Sequence, residues 1–153
     1  MIATSPESTS VSWVEHQTLE HIKGALRVTV DWRAPAVSQA RKKSSIRFAL
    51  QSFCRHLERL MRIEEEGGYM AVVADQNPCL SHQIRRLAGD HDRFRARVAE
   101  LTPRLEEVAE WQDDDFDGIC EDIKRFLDEV DRHDFAEVEL LQETLTLDEG
   151  GEG

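Results

Sequence analysis

At 153 residues the chain has the length of one ordinary domain, long enough to bury a continuous apolar core. Its 31 Asp and Glu against 19 Lys and Arg leave a formal net charge of -12, so the surface should repel phosphate backbones and anionic lipid, and neither nucleic acid nor membrane is an expected partner. The opening MIATSPESTS carries neither a basic nor an apolar leader segment, and no apolar run approaches the length of a bilayer span, so the expected location is cytoplasmic.

In chain order, residues 1–11 are polar and rich in Ser and Thr, and are expected to be a flexible segment. Helical periodicity then begins, over about 12–32, 44–75, 79–111 and 117–146, with breaks near Pro35, Pro78 and the acidic run at 113–118. On the first of these helices Val14, Thr18, His21, Ala25, Val28 and Trp32 share a stripe, which turns His21 inward and His16 outward, while Leu19, Ile22 and Leu26 broaden the apolar face. On the second, Phe53, Leu57, Leu60 and Glu64 lie along the core line, and Glu65 and Glu66 rotate toward solvent. Gly67-Gly68 is followed by the apolar stretch 70–73 and is expected to soften this helix, at about 1 kcal/mol per Gly, rather than to end it.

The third helix carries a seam of Ile84, Leu87, His91, Phe94, Val98, Leu101 and Leu105, with His91 at its centre and His82 on the opposite side. The run DDDFDG at 113–118 opens like a calcium loop, but Lys124 stands at the twelfth position where a bidentate Glu is needed, so a solvated loop is expected there. On the fourth helix Ile119, Phe126, Val130, His133, Glu137 and Leu140 form one stripe, which puts His133 and Glu137 one turn apart within the seam. Residues 147–153 are Gly- and Glu-rich and are expected to be a flexible tail, leaving one domain over 12–146. Cys54, Cys79 and Cys120 show no C-x-x-C spacing and are expected to be free thiols, buried or half-buried; the basic runs at 41–43 and 85–86 are expected on solvated faces.

Four long helices joined by short connections predict an all-α, up-down-up-down four-helix bundle. Its main chemical signal is the convergence of His21, Glu64, His91, His133 and Glu137 from all four helices. Buried carboxylates need compensation, and either a bound cation or a hydrogen-bonded polar layer supplies it; mixed imidazole and carboxylate donors suit iron, manganese or zinc.

The segments LEHIKGAL at 19–26, HLERLMRIEEEGGYM at 56–70, GDHDRF at 89–94 and RHDFAEVELLQETL at 132–145 resemble the four helices of hemerythrin-like (HHE cation-binding) domains. The resemblance implies metal ligation by His21, Glu64, His91, His133 and Glu137, and a non-haem iron centre of one or two ions, with dioxygen as a candidate ligand. The chain departs from the family at two places: Leu60 stands where a second-helix histidine is usual, and Leu87 where some members carry a second third-helix histidine. Under the family pattern one ion keeps His91, His133 and two bridging carboxylates, while the other keeps only His21 and the bridges and is weakly held. His56, a further turn of about 5.4 Å along the axis, is a substitute ligand to be tested. The function implied is a metal-binding domain, non-catalytic, for oxygen binding, iron or oxygen sensing, or storage. Its rivals are a metal-poor structural or interaction bundle and a dimetal-carboxylate oxidoreductase.

Overall fold

The computed structural model describes residues 6–33, 35–109 and 111–150, with side chains over 12–33, 35–109 and 111–147. Four long helices, α1 (Pro6–Val30), α2 (Gln39–Glu65), α4 (Ser81–Glu107) and α5 (Asp113–Gly150), make the bundle. A short helix, α3 (Tyr69–Gln76), and a 3-10 turn (Pro78–Leu80) lie between α2 and α4. Helix thus extends from Pro6 and to Gly150, into both terminal segments expected to be flexible; residues 1–5 and 151–153 lie outside the described residues.

Consecutive long helices pack on one another and α5 closes against α1. Cross-helix ion pairs show that each neighbour runs antiparallel. Arg104–Asp122 at 2.9 Å and Arg97–Glu129 at 3.1 Å step along α4 and α5, while Lys124–Asp31 and Lys23–Asp131, both 2.5 Å, step along α5 and α1. Between α2 and α4 the same register is held by Arg47–Glu106 at 2.6 Å and Arg95–Glu65 at 2.7 Å. The up-down-up-down topology follows from this sequence of pairs.

Local chemistry moves several expected boundaries. Ser38 accepts a hydrogen bond from the Arg41 N–H at 3.2 Å, and with this cap α2 starts at residue 39 rather than 44. The acidic run is not a loop: Asp113, Asp114 and Asp115 form the first turn of α5, where carboxylates meet the positive end of the helix dipole. Of the basic run at 41–43, Lys42 is buried, its Nζ 5.6 Å from the Phe116 ring centre. Cys79 is exposed in the 3-10 turn, contrary to the expected burial, whereas Cys120 is buried and Cys54 half-buried.

Gly67-Gly68 ends a helix rather than softening one. Gly67 takes φ 90°, a left-handed conformation that glycine reaches without a steric penalty, and α3 begins directly after Gly68. Gly68 also packs against the last turn of α2, where a Cβ would collide with the Ile63 carbonyl oxygen and stand 2.7 Å from the Glu64 Cα. The chain therefore turns within two residues and brings Tyr69 back beside Glu64.

The apolar side chains divide into two clusters. The larger, around Phe53, Phe94, Phe126 and Leu101, fills most of the bundle; the smaller joins Met70, Val73, Leu80, Ile84, Leu87 and Leu140. Along α4 the order is Leu87, His91, Phe94, and along α5 it is Val130, His133, Glu137, Leu140. A layer of polar residues thus separates the two clusters. Because this layer is anchored by the turn after α2, Gly68→Ala should cost about 2–4 kcal/mol, read as a lowered denaturation midpoint; a neutral result would show that the turn adapts without disturbing Glu64.

Candidate metal centre

Glu64, His91, His133 and Glu137 make up the polar layer, and they are 3, 1, 5 and 4 % exposed. One nitrogen or oxygen from each lies within 4.8 Å of the others. His133 Nε2 stands 2.9 Å from Glu137 Oε1, and His91 Nε2 stands 3.7 Å from Glu64 Oε2. The two imidazoles are neighbours with ring centres 5.0 Å apart, and Phe94 presses edge-on to His133 at 5.2 Å.

The outer nitrogen of each ring is already engaged. His91 Nδ1 is 2.9 Å from Glu65 Oε2, and Glu65 is gripped by Arg95 at 2.7 and 3.1 Å. His133 Nδ1 is 2.9 Å from Asp90 Oδ2, and Asp90 pairs with Arg93. Such carboxylate–histidine links fix ring orientation and leave Nε2 to face inward, the arrangement that ligating histidines use. The sequence reading placed Glu65 in solvent; its half-buried position between His91 and Arg95 gives it a positioning role that hydropathy does not reveal.

The electrostatics fit a cation. Glu64 Oε2 is buried with no hydrogen-bond partner. Burial, and then the neighbouring Glu137, push Glu64 up to about 11, so its proton is retained at neutral pH. Burial would raise Glu137 as well, but hydrogen bonds from His133, Glu64 and Tyr69 hold it down to about 2. Burial lowers His91, against its bond to Glu65, which favours the neutral imidazole that a metal requires. Both nitrogens of His133 face carboxylate oxygens, a geometry met by a doubly protonated ring or by a cation between Nε2 and Glu137.

His21 does not belong to this layer. It is exposed, with Nδ1 2.8 Å from the Gln17 carbonyl oxygen, and Val14 and Val28 of its expected stripe are exposed too. The inward face of α1 is instead Glu15, Leu19, Lys23, Leu26 and Val30. Two of these are charged and are buried because they are paired: Glu15 with His56 at 2.9 Å and Arg59 at 3.1 Å, Lys23 with Glu20 and Asp131, each at 2.5 Å. The α1 histidine nearest the layer is His16, expected in solvent, whose Nε2 lies 3.7 Å from Glu64 Oε1. His56 serves Glu15, and His82 is exposed as expected.

Two further features bear on the site. Tyr69, missed by the sequence reading, donates from its hydroxyl to Glu137 Oε1 at 2.7 Å. A cleft of about 570 Å³ between α4 and α5, lined by Leu87, Asp90, His133, Ala136 and Leu140 among others, reaches His133 from outside. The carboxylates of Glu20, Asp131 and Asp134 also converge, but around Lys23 Nζ at 2.5, 2.5 and 3.5 Å, so an internal ammonium already balances them.

The Glu64 proton gives a test with two signs. Its folded-state pKa lies above the unfolded value near 4.5, so as pH rises past 4.5 the unfolded chain ionises while the fold must keep the proton, and stability falls. Glu137, shifted downward, has the opposite slope, confined to pH below about 4.5. Glu64→Gln should therefore stabilise the metal-free protein by about 1–3 kcal/mol at pH 7, with the gain widening from pH 5 to pH 8, while abolishing stabilisation by added metal. Thermal midpoints across that range, with and without ferrous iron, check both signs.

Comparison with known proteins gives the family of the chain. No curated protein and no solved structure matches the chain. A family model described as the hemerythrin HHE cation binding domain matches residues 9–145, which takes in α2 and α4 whole, most of α1 and α5, and every member of the buried layer. The chain belongs to the hemerythrin HHE cation-binding domain family.

Proposed function

We propose that this protein is a non-haem iron-binding domain that uses its centre for oxygen binding, iron or oxygen sensing, or storage, and not for turnover of an organic substrate. The observation that carries the reading is the buried quartet of Glu64, His91, His133 and Glu137, in which both Nε2 atoms face carboxylate oxygens while both Nδ1 atoms are held by Glu65 and Asp90. Two imidazoles with carboxylates form a borderline-hard donor set that suits ferrous and ferric iron. Bound iron would supply a redox-active ion able to take a small ligand. The chain's own residues do the rest: they orient the rings, balance the charge, and exclude bulk water through the apolar clusters on either side.

The second reading is a structural bundle with little metal affinity. It draws on Leu60 and Leu87, both buried and apolar, the first where a histidine is usual in the family and the second where some members carry one. Metal analysis of protein made in iron-replete medium, with an optical spectrum recorded in air, separates the two; metal-free protein with no added absorbance would favour the structural bundle.

Ligand identity is checked by replacement. His133→Ala should remove metal binding, whereas His56→Ala should leave it, since His56 is committed to Glu15. Asp90→Asn should keep the ligand set but weaken affinity by roughly 10- to 100-fold, the effect of losing a partner that orients a ligating histidine. Retained metal in His133→Ala, or loss in His56→Ala, would overturn the assignment.

A further inference from the structure

Relatives with the full histidine set imply a pair of ions across two carboxylates, but the surroundings of Glu64 and Glu137 are unequal on their two sides. On one side His91 and His133 bring Nε2 atoms to the carboxylates. The four donor atoms lie within 4.8 Å of one another, close to the about 4.2 Å that separates opposite ligands of a single ion with bonds near 2.1 Å. One ion and small side-chain shifts would satisfy all four.

The other side offers far less. Leu60 has no donor atom, His21 points away from the layer, and His56 is held by Glu15. Among the described residues only His16 approaches, 3.7 Å from Glu64 Oε1 and part-exposed. The Tyr69 hydroxyl donates to Glu137 Oε1, the oxygen that His133 Nε2 also faces, and so stands on the histidine side of the pair. Its backbone is placed by the left-handed Gly67 and by the tight approach of Gly68 to α2.

Charge points the same way. Two carboxylates and two neutral imidazoles balance one divalent ion, whereas two such ions would leave excess positive charge in a buried layer unless further anions entered.

We propose that the centre is mononuclear, holding one first-row transition-metal ion on Glu64, His91, His133 and Glu137, because the far side of the carboxylate pair lacks the donors that a second ion would need. This rests on the iron-binding reading given above. Tyr69 acts as a positioning residue: as a neutral donor to Glu137 it selects how that carboxylate meets the ion.

The test is to load the full chain with excess ferrous iron under anaerobic conditions, remove unbound metal, and measure iron per chain. A sample is then oxidised and its electron paramagnetic resonance spectrum recorded. One iron per chain and an isolated high-spin ferric signal are expected. Two irons per chain with a spin-coupled, signal-free ferric state would overturn the mononuclear centre and leave iron binding intact; no retained iron would overturn both. Tyr69→Phe, checked for unchanged helicity, should keep one iron per chain but alter the ferric signal through the lost hydrogen bond to Glu137. An unaltered signal, or a second iron gained on loss of the hydroxyl, would overturn the role given to Tyr69.

Discussion

Two carboxylates facing one another inside a helical bundle are the constraint on which the rest of this structure depends. Glu64 and Glu137 are buried between two apolar clusters, where the ionised pair would be strongly unfavourable without compensation. The chain answers with a retained proton on Glu64, a phenol from Tyr69 and the edge of His133. Each of these is also what a cation would displace or reorganise. The metal-free fold and the metal-binding fold are thus two solutions to one charge problem, and the side chains that solve the first are those that shape the second.

Around this layer the bundle repeats a single device: an inward-facing imidazole backed by a carboxylate that is itself gripped by an arginine. His91, Glu65 and Arg95 form one such chain and His133, Asp90 and Arg93 another; beyond the quartet the half-buried His56 and the exposed Arg59 share the buried Glu15. Most of these links cross from one helix to a neighbour, so the contacts that orient the rings also set helix register. The high acidic content of the chain is partly explained by these outer carboxylates, which act well inside the solvated surface.

Much of this was legible in the sequence, and the parts that were not share a physical cause. On α4 and α5 the apolar residues continue above and below His91, His133 and Glu137, so periodicity alone turns those residues inward. On α1 it fails. Glu15 and Lys23 stand on the true core line, and no hydropathy pattern distinguishes a buried, paired charge from a solvated one, so the apolar stripe points to His21 where the structure presents His16 to Glu64. Glu65 was missed for the same reason. Tyr69 was hidden differently, because its partner Glu137 is 68 residues away and only the Gly67-Gly68 turn brings the two together. The double glycine, as a helix stop, is the one local signal of that turn.

The brevity of α3 has a wider consequence. A helix of eight residues, with no side-chain cap at its start, has too few hydrogen bonds to hold itself in water. Its order is borrowed from Met70 and Val73, which lock it onto Leu80, Ile84, Leu87 and Leu140. Tyr69 opens this helix, so the steadiness of its hydroxyl is inherited from greasy contacts a turn or more away. Erosion of that small cluster would loosen the phenol before it loosened either histidine, which makes remote packing at one end of the bundle a determinant of how tightly the carboxylate pair is enclosed.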